Sequence, residues 1–488
     1  MLSFNIIVCY CNKNGIGRDN CIPWKISDDL KHFKLVTTMN KHTNNIVIMG
    51  RNTWESIPRE YRPLKDRFNF VVSSKKKFID SDKVDYIGSS FENIIEYICI
   101  ENKNDLEGSK YYNSDIFVIG GEMLYKYVLD IYSSYVNKIY ITELYSSITC
   151  NKFFPIIDKD MYKLVKVSNY KKEKTMYFRY FTYEKRKQKN DIYINNQENQ
   201  YKKLIDNILL YGVKRKDRTG IGTLSYFSPD ILRFDLSDTF PLCTLKKGFM
   251  RAVFEELMLY IRGQTDNKIL QDKNIHIWDG NTSREFLDSR NLNHYPEGDM
   301  GETYGFNMRH YGGKYVDCKT KYSSGTGFDQ LNYVINEIKT NPHSRRILIN
   351  LWNPKTLFNA ALPSCLHQYQ FYVNTEKKTL NLQIYLRSSD VFLANNWNTC
   401  TGALFVHLLC NLKEIDLKPG NLSVVCGDAH IYNNHIEFAK KMTERESFPY
   451  PKLVVKKEYN NIEEFEYSDI VIIGYKSHPN DFNASMAV

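Results

Sequence analysis

IVIMGRNTWESIP, residues 46–58, runs from four apolar residues through Gly50 into the polar start of a helix. A buried strand, a glycine turn and a helix can hold phosphate on backbone N–H groups, here with Arg51 beside them. The unit recurs. Phe70-Val71-Val72-Ser73-Ser74-Lys75 is a second strand, ending in hydroxyls and a lysine. Ile116-Phe117-Val118-Ile119-Gly120-Gly121-Glu122 is a third, turning through two glycines into a helix over 123–129. Strands alternating with helices predict an α/β domain, a mostly parallel sheet that binds ligands at its carboxyl ends.

Upstream, residues 4–11 read as a first strand leading to Gly15-Ile16-Gly17, and Ile22 to Phe33 reads IPWKISDDLKHF. Ser27 is the expected N-cap of a helix whose inner face carries Leu30, Phe33 and Leu35/Val36. Asp29 lies in its first turn beside that apolar stripe. It is either a surface acid facing the helix dipole or a carboxylate leaning into a cleft. In a cleft it would pair two acceptor oxygens with two N–H donors of a heterocycle.

Composition sets bounds on the rest. The 488 residues are 42% apolar and 25% charged, enough for two to four domains. No apolar run is long enough to span a membrane, and the start reads as a strand rather than a signal peptide. Eleven cysteines, an odd number without paired Cys-x-x-Cys spacing, predict reduced thiols, a cytoplasmic setting and no metal. The net charge of +10 fits anionic small substrates and also allows weak RNA binding.

IPWKISDDLKHF, IVIMGRNTWESIP, RPLKDRFNFVVSS, IFVIGGEMLY and IYITELY, in that order across residues 1–184, resemble the dihydrofolate reductase family. The resemblance implies that Asp29 holds the pteridine and supports protonation at N5, with Thr142 hydrogen-bonded to the acid. Val8, Cys9 and Phe33 would line the pteridine slot, Ile57 the benzoate region, and Arg67 would bind the glutamate α-carboxylate. NADPH phosphates would fall to Arg51, Thr53, Ser74 and Lys75. Gly120 and Gly121 would pack beneath the cofactor, and Gly17, Gly50, Asn52, Ser73 and Glu122 would complete its site.

A polar stretch over 185–200 reads as a linker, and residues 201–212 as an amphipathic helix. The basic loop Lys214 to Thr223 is a candidate phosphate clamp. On the helix Met250–Arg262, Glu256 borders the apolar face, a costly place for a carboxylate unless it is bonded or functional. Arg345 and Arg346 open a strand expected over 347–352. Cys365, in LPSCLHQYQFYV (362–373), sits at a strand edge, and Arg387 lies beyond the neighbouring strand Leu380–Leu386. That layout suits a thiolate beside an anion site; a buried core thiol is the competing reading. Gly427 to His435 is histidine-rich but lacks the ligands of a zinc site.

DRTGIGT, FEELMLYIRG, IWDGN, EGDMG, NPHSRRI, RSSD and GDAHIYNNH, together with Cys365 and the terminal Met486-Ala487-Val488, resemble the thymidylate synthase family across 201–488. The resemblance implies an α+β domain that forms a homodimer. In it Cys365 attacks C6 of dUMP, and the nearby cations favour the thiolate. Arg218, Arg387 and Ser388 would bind the phosphate with Arg345 and Arg346 of a second subunit. Asn398 would read the uracil edge, while His430 and Tyr432 hold the ribose. Glu256 would arrange proton transfers, assisted by Tyr304. Trp278, Asn281, Asp390 and Val488 would contact 5,10-methylenetetrahydrofolate.

The family usually has histidine where Leu366 stands, glutamine for Leu386, glycine for Ser389 and tryptophan for Met308. Its glycine-containing turn before the uracil-binding asparagine reads Ala394-Asn395-Asn396-Trp397. These departures leave open a reductase fused to a weakened synthase. The two resemblances together imply a bifunctional enzyme that makes dTMP and reduces the dihydrofolate produced.

Overall fold

A computed structural model of the chain describes residues 3–40, 43–103, 111, 113–159, 161–186, 195–482 and 484. The chain divides into two compact units, Met1–Tyr193 and Ile194–Val488. Half of the expected linker, residues 187–194, lies outside the described residues, as does Val488. The helix expected from 201 begins earlier, at Asn196, because the Asn195 side chain accepts from the backbone N–H groups of Gln197 and Glu198.

The first unit is built on one sheet. Its path runs Lys171–Glu173, Met176–Lys185, Val136–Leu144, Phe4–Tyr10, Ile116–Gly120, Asn45–Gly50, Arg67–Val72 and Tyr86–Gly88. Pairing is parallel from Val136–Leu144 to the last strand and antiparallel at Met176–Lys185. The central strands read as continuous apolar runs because both faces are covered. Ile6, Val8, Ile46, Ile48 and Phe70 pack on one side; Ile7, Val47, Met49 and Val71 pack on the other with Trp54. Trp54 is fully buried, and its indole N–H donates to the Ile79 carbonyl at 2.9 Å. Truncating it to alanine costs about 3–5 kcal/mol.

The helix that carries Asp29 spans Ser27–Thr37. Its cap differs from the expectation. Ser27 is the first helical residue, and its side chain makes no cap bond. Instead Glu173, on the edge strand Lys171–Glu173, accepts from the backbone N–H groups of Ser27 and Asp28 and from the Ser27 hydroxyl, at 3.0, 3.2 and 2.9 Å. Leu30 and Leu35 are exposed, so the inward face rests on Phe33 and Val36.

The second unit's sheet runs Val213–Arg215, Thr223–Phe227, Lys418–Tyr432, Thr379–Asp390, Leu366–Asn374 and Leu348–Asn350. Thr379–Asp390 is antiparallel to Leu366–Asn374 and parallel to Lys418–Tyr432. The first relation sets the start of one strand against the end of its neighbour; the second sets two ends side by side. Cys365, Arg387 and His430 therefore gather at one edge of the sheet. Two nearly all-buried helices, Met250–Ile261 and Asn395–Leu409, belong to the core of this unit. The strand expected over 347–352 shrinks to Leu348–Asn350. Ser344 turns the chain just before it, accepting from the Arg346 N–H at 3.2 Å. Arg345 and Arg346 are both exposed.

Candidate active sites

In the first unit Asp29 projects from its helix toward the strands Phe4–Tyr10 and Val136–Leu144. Thr142 and Cys9 hydrogen-bond to its carboxyl group. Burial raises the Asp29 pKa above the ordinary carboxylate value, and the Thr142 and Cys9 bonds pull it part of the way back. Burial, and then the Asp29 charge, push the Cys9 thiol well up, so Cys9 acts as a neutral S–H donor. Trp24 borders this group with Cys9 and Ile26, and its buried indole N–H has no hydrogen bond of normal geometry. Sequence reading passed over Trp24, although it stands only five residues before the acid.

Phe33 and Ile57 pack on the same face, beside Val36 and Trp54. Arg67 lies 5.6 Å from the centre of the Phe33 ring. Its Nη1 donates to Thr37 Oγ1 and its Nε to the Lys65 carbonyl, both at 2.9 Å. A buried guanidinium fixed on one side presents its other N–H groups in a set direction, as a carboxylate site requires.

On the phosphate side, Thr53 lies against Gly120 and Gly121. A Cβ on Gly120 would stand 3.0 Å from Thr53 Cγ2, and one on Gly121 3.0 Å from Thr53 Oγ1. Gly120 also has φ of 145°, a conformation that excludes other residues. Gly50 precedes the short helix Arg51–Ser56, on which Asn52 is exposed and Arg51 Nη1 contacts both Glu55 oxygens at 3.2 Å. The Ser73 hydroxyl closes a tight turn with Lys75, leaving Ser74 and Lys75 exposed. Glu122 turns away from this group to accept from the Phe153 N–H at 2.9 Å and pair with Lys152. Gly17 sits in the short strand Gly15–Gly17, paired with Lys152–Phe153.

In the second unit, Cys365 Sγ lies 3.9 Å from Arg387 Nη2. That guanidinium is anchored by donation to the Ser364 and Pro363 carbonyls, each at 2.9 Å, and stacks 5.0 Å from the centre of the Trp352 ring. A Cβ on Gly427 would stand 2.7 Å from the Arg387 carbonyl oxygen, so the parallel strand approaches closely only with glycine there. The Cys365 N–H donates to the Tyr304 hydroxyl at 2.9 Å. In the single chain burial raises the Cys365 pKa, and Arg387 and then Arg218 oppose that rise. Asp217 shapes the basic loop, accepting from Thr219 and Gly222, and Arg218 is exposed beside Phe286.

Ser388 pairs across the strands with Asp428, and Asp390 with His430. Asp428 takes His430 Nδ1 at 3.2 Å, Arg215 at 2.9 Å and the Ser225 hydroxyl at 2.7 Å. Tyr432 packs edge-on to His430. Asn398 bonds back to the Ala394 carbonyl. Asp390 accepts from the backbone N–H groups of Phe392 and Leu393. Asn281 is buried, and its amide nitrogen has no hydrogen-bond partner among the described residues. Glu256 is buried too, with both oxygens engaged: Trp278 Nε1 donates to one at 2.8 Å and Trp397 Nε1 to the other at 2.7 Å.

Residues 3–186 match the family model for dihydrofolate reductase, and residues 199–488 that for thymidylate synthase. Similar proteins include the bifunctional dihydrofolate reductase-thymidylate synthase of Glycine max, 38% identical over 515 residues, covering 98% of this chain and 94% of that protein. The Leishmania major enzyme of that name is 36% identical over 499 residues with the same coverage. The Paramecium tetraurelia one is 36% identical over 478 residues, covering 98% and 97%. The chain belongs to the bifunctional dihydrofolate reductase–thymidylate synthase family.

The reductase domain uses NADPH to reduce dihydrofolate, and the synthase domain methylates dUMP with 5,10-methylenetetrahydrofolate. The glycine floor against Thr53 fits a cofactor whose backbone must approach the protein closely. Within the synthase domain four of the departures from the family pattern meet in two pairs. Leu366 and Leu386 are direct cross-strand partners, 3% and 1% exposed, so an apolar pair stands where the family pattern leads one to expect two polar residues. Replacing both members of a buried polar pair is far less costly than orphaning one. Met308 is buried in the same core cluster. The hydroxyl of Ser389 accepts from Asn395 Nδ2 at 3.2 Å, joining two further departures.

Proposed function

We propose that Cys365 is the synthase nucleophile and Asp29 the reductase acid, each supported by the residues gathered around it. The observation that carries the synthase assignment is the Cys365 thiol 3.9 Å from a guanidinium locked in place by two carbonyls. In the synthase reaction the Cys365 thiolate adds to C6 of dUMP. Arg218, Arg387 and Ser388 hold the phosphate, Asn398 the uracil edge, and His430 with Tyr432 the ribose. Trp278, Asn281, Asp390 and the terminal Val488 contact the folate, and Glu256 moves protons around the pyrimidine. Arg345 and Arg346, exposed in the single chain, complete the phosphate site of a second copy, so the working form is a homodimer. Two added guanidinium groups also shift the Cys365 balance toward the thiolate.

In the reductase domain NADPH supplies the hydride when bound. Asp29 accepts from the pteridine's N–H donors and supports proton delivery to N5. Val8, Cys9, Phe33 and Ile57 enclose the rings, and Arg67 takes the substrate's carboxylate. Arg51, Thr53, Ser74, Lys75 and the Gly120-Gly121 turn receive the cofactor, with Gly17, Gly50, Asn52, Ser73 and Glu122 shaping its surroundings. The odd number of cysteines favours a cytoplasmic setting. Weak RNA binding rests on the net charge of +10 alone, and filter retention that ignores salt would end that reading.

The test is a crossed pair of variants. Cys365→Ala is expected to lower tritium release from 5-[³H]dUMP by on the order of 10⁴-fold or more while sparing NADPH oxidation. Asp29→Asn is expected to lower NADPH oxidation by about 10²–10⁴-fold while sparing tritium release. Retained activity in the reaction assigned to either residue overturns that assignment.

A further inference from the structure

The second oxygen of Glu256 is the place where this synthase site carries an unassigned group. Glu256 lies on Met250–Ile261, Trp278 on the turn before Asp279–Thr282, and Trp397 on Asn395–Leu409, one residue before Asn398. Three separate segments therefore meet at one carboxylate. Trp278 Nε1 takes Oε1 at 2.8 Å and Trp397 Nε1 takes Oε2 at 2.7 Å. An indole N–H donates and never accepts. Two such donors suit an ionised carboxylate, because a protonated oxygen is a poorer acceptor and its N–H bond would weaken.

We propose that Trp397 is a positioning residue of the synthase reaction: it clamps Glu256 from the helix that carries Asn398 and holds the carboxylate in its ionised orientation. This rests on Glu256 being the proton-transfer group. The clamp links nucleotide recognition to proton transfer, because a shift of the start of the helix that bears Asn398 moves the donor on Glu256.

The other titratable groups facing Glu256 are phenols: Tyr260 on its own helix, Tyr304 on Tyr304–Arg309 and Tyr369 on Leu366–Asn374. Burial raises the pKa of all three, so they face the carboxylate as neutral groups. Burial raises the Glu256 pKa; the Trp278, Trp397 and Tyr260 hydrogen bonds oppose that rise. Removing one donor therefore moves the Glu256 pKa further up, and the ionised form is lost at a higher pH.

The experiment is the pH profile of tritium release from 5-[³H]dUMP by the full-length protein. Glu256→Gln is expected to abolish the acid limb of that profile, which assigns the limb. Trp397→Phe is expected to move the limb to higher pH by on the order of one unit, read below the limb as a fall of about tenfold. Should Trp397→Phe not fold, replacing Trp397 by benzothienylalanine, which keeps the indole shape and lacks the N–H, makes the same measurement. A limb that stays in place while the rate falls equally at every pH, or a profile that does not change, overturns the proposal. If Glu256→Gln leaves the limb intact, the role of Glu256 fails instead, a distinct result.

Discussion

Each domain sets one acid at its candidate site, and they furnish it differently. Asp29 is met by the Thr142 hydroxyl and the Cys9 thiol, while Glu256 is met by two indoles and the Tyr260 hydroxyl. Burial raises both pKa values. A hydroxyl can donate to a carboxylate and, after rotation, accept from a carboxylic acid; an indole can only donate. Asp29 therefore keeps both its partners in either protonation state, whereas Glu256 keeps only the Tyr260 hydroxyl, because its two indole donors favour the anion against the rise that burial causes. Burial acts on both acids in the same direction, and the donor chemistry is what differs between them.

The largest effects come from breaking each acid in turn. Glu256→Gln is expected to lower synthase turnover by about 10²–10⁴-fold with NADPH oxidation intact, and Asp29→Asn to do the reverse by a similar factor. Steady-state assays of both reactions on the same preparation check this. Equal loss of both activities from either variant would mean that the two sites do not act separately, and the comparison would collapse.

The apolar pair Leu366 and Leu386 sharpens the contrast between a reductase site with its expected polar partners and a synthase site that has exchanged some. Leu366→His alone or Leu386→Gln alone leaves a buried polar group without its partner, a cost of about 1–3 kcal/mol in urea unfolding. The double variant, with imidazole and amide facing each other across the strands, is expected to recover part of that loss. Additive losses would show that the two departures are independent, and the reading of a compensated synthase would lose its support.

Thr142→Val tests the Asp29 half. The Thr142 hydrogen bond lowers the Asp29 pKa against burial, so its removal raises that pKa further. Because delivery of a proton needs the protonated side of the equilibrium, NADPH oxidation falls as pH rises past the Asp29 pKa. The variant is expected to shift that fall to higher pH, by on the order of one unit or less. A shift to lower pH would reverse the assigned role of the hydroxyl.

Much of both sites was legible because it is local or repeats with the sheet. The strand–glycine–helix units announced the parallel sheet, and Cys365 with Arg387 could be paired from two adjacent strands read in register. Thr142 came with its motif. The misses are long-range. Ser27 has the composition of a cap, yet Glu173, 146 residues away, fills that place. Trp397 lies 141 residues from Glu256 and sits in a turn that reads as a departure from the family rather than as a contact. Burial of the Cys365 thiol was not legible either, because charge can be counted along a chain, whereas desolvation depends on how the chain packs.

The smallest effect returns to that distant cap. Glu173 joins the edge strand to the first turn of the Asp29 helix, and bonds from the Ser27 and Asp28 N–H groups hold its pKa below the ordinary glutamate value. A carboxyl group whose pKa is depressed by folding stabilises the fold above its unfolded pKa, and that contribution is lost as pH falls through the folded value. Glu173→Gln keeps the shape but gives up the charge opposite the helix N-terminus. A small fall in the Tm of reductase-domain unfolding is expected near neutral pH, and it should close as the solution is acidified. A deficit that persists unchanged in acid would assign the effect to geometry instead of charge. The cap would then position Asp29 by shape alone, and both buried acids would owe their placement to contacts that do not titrate.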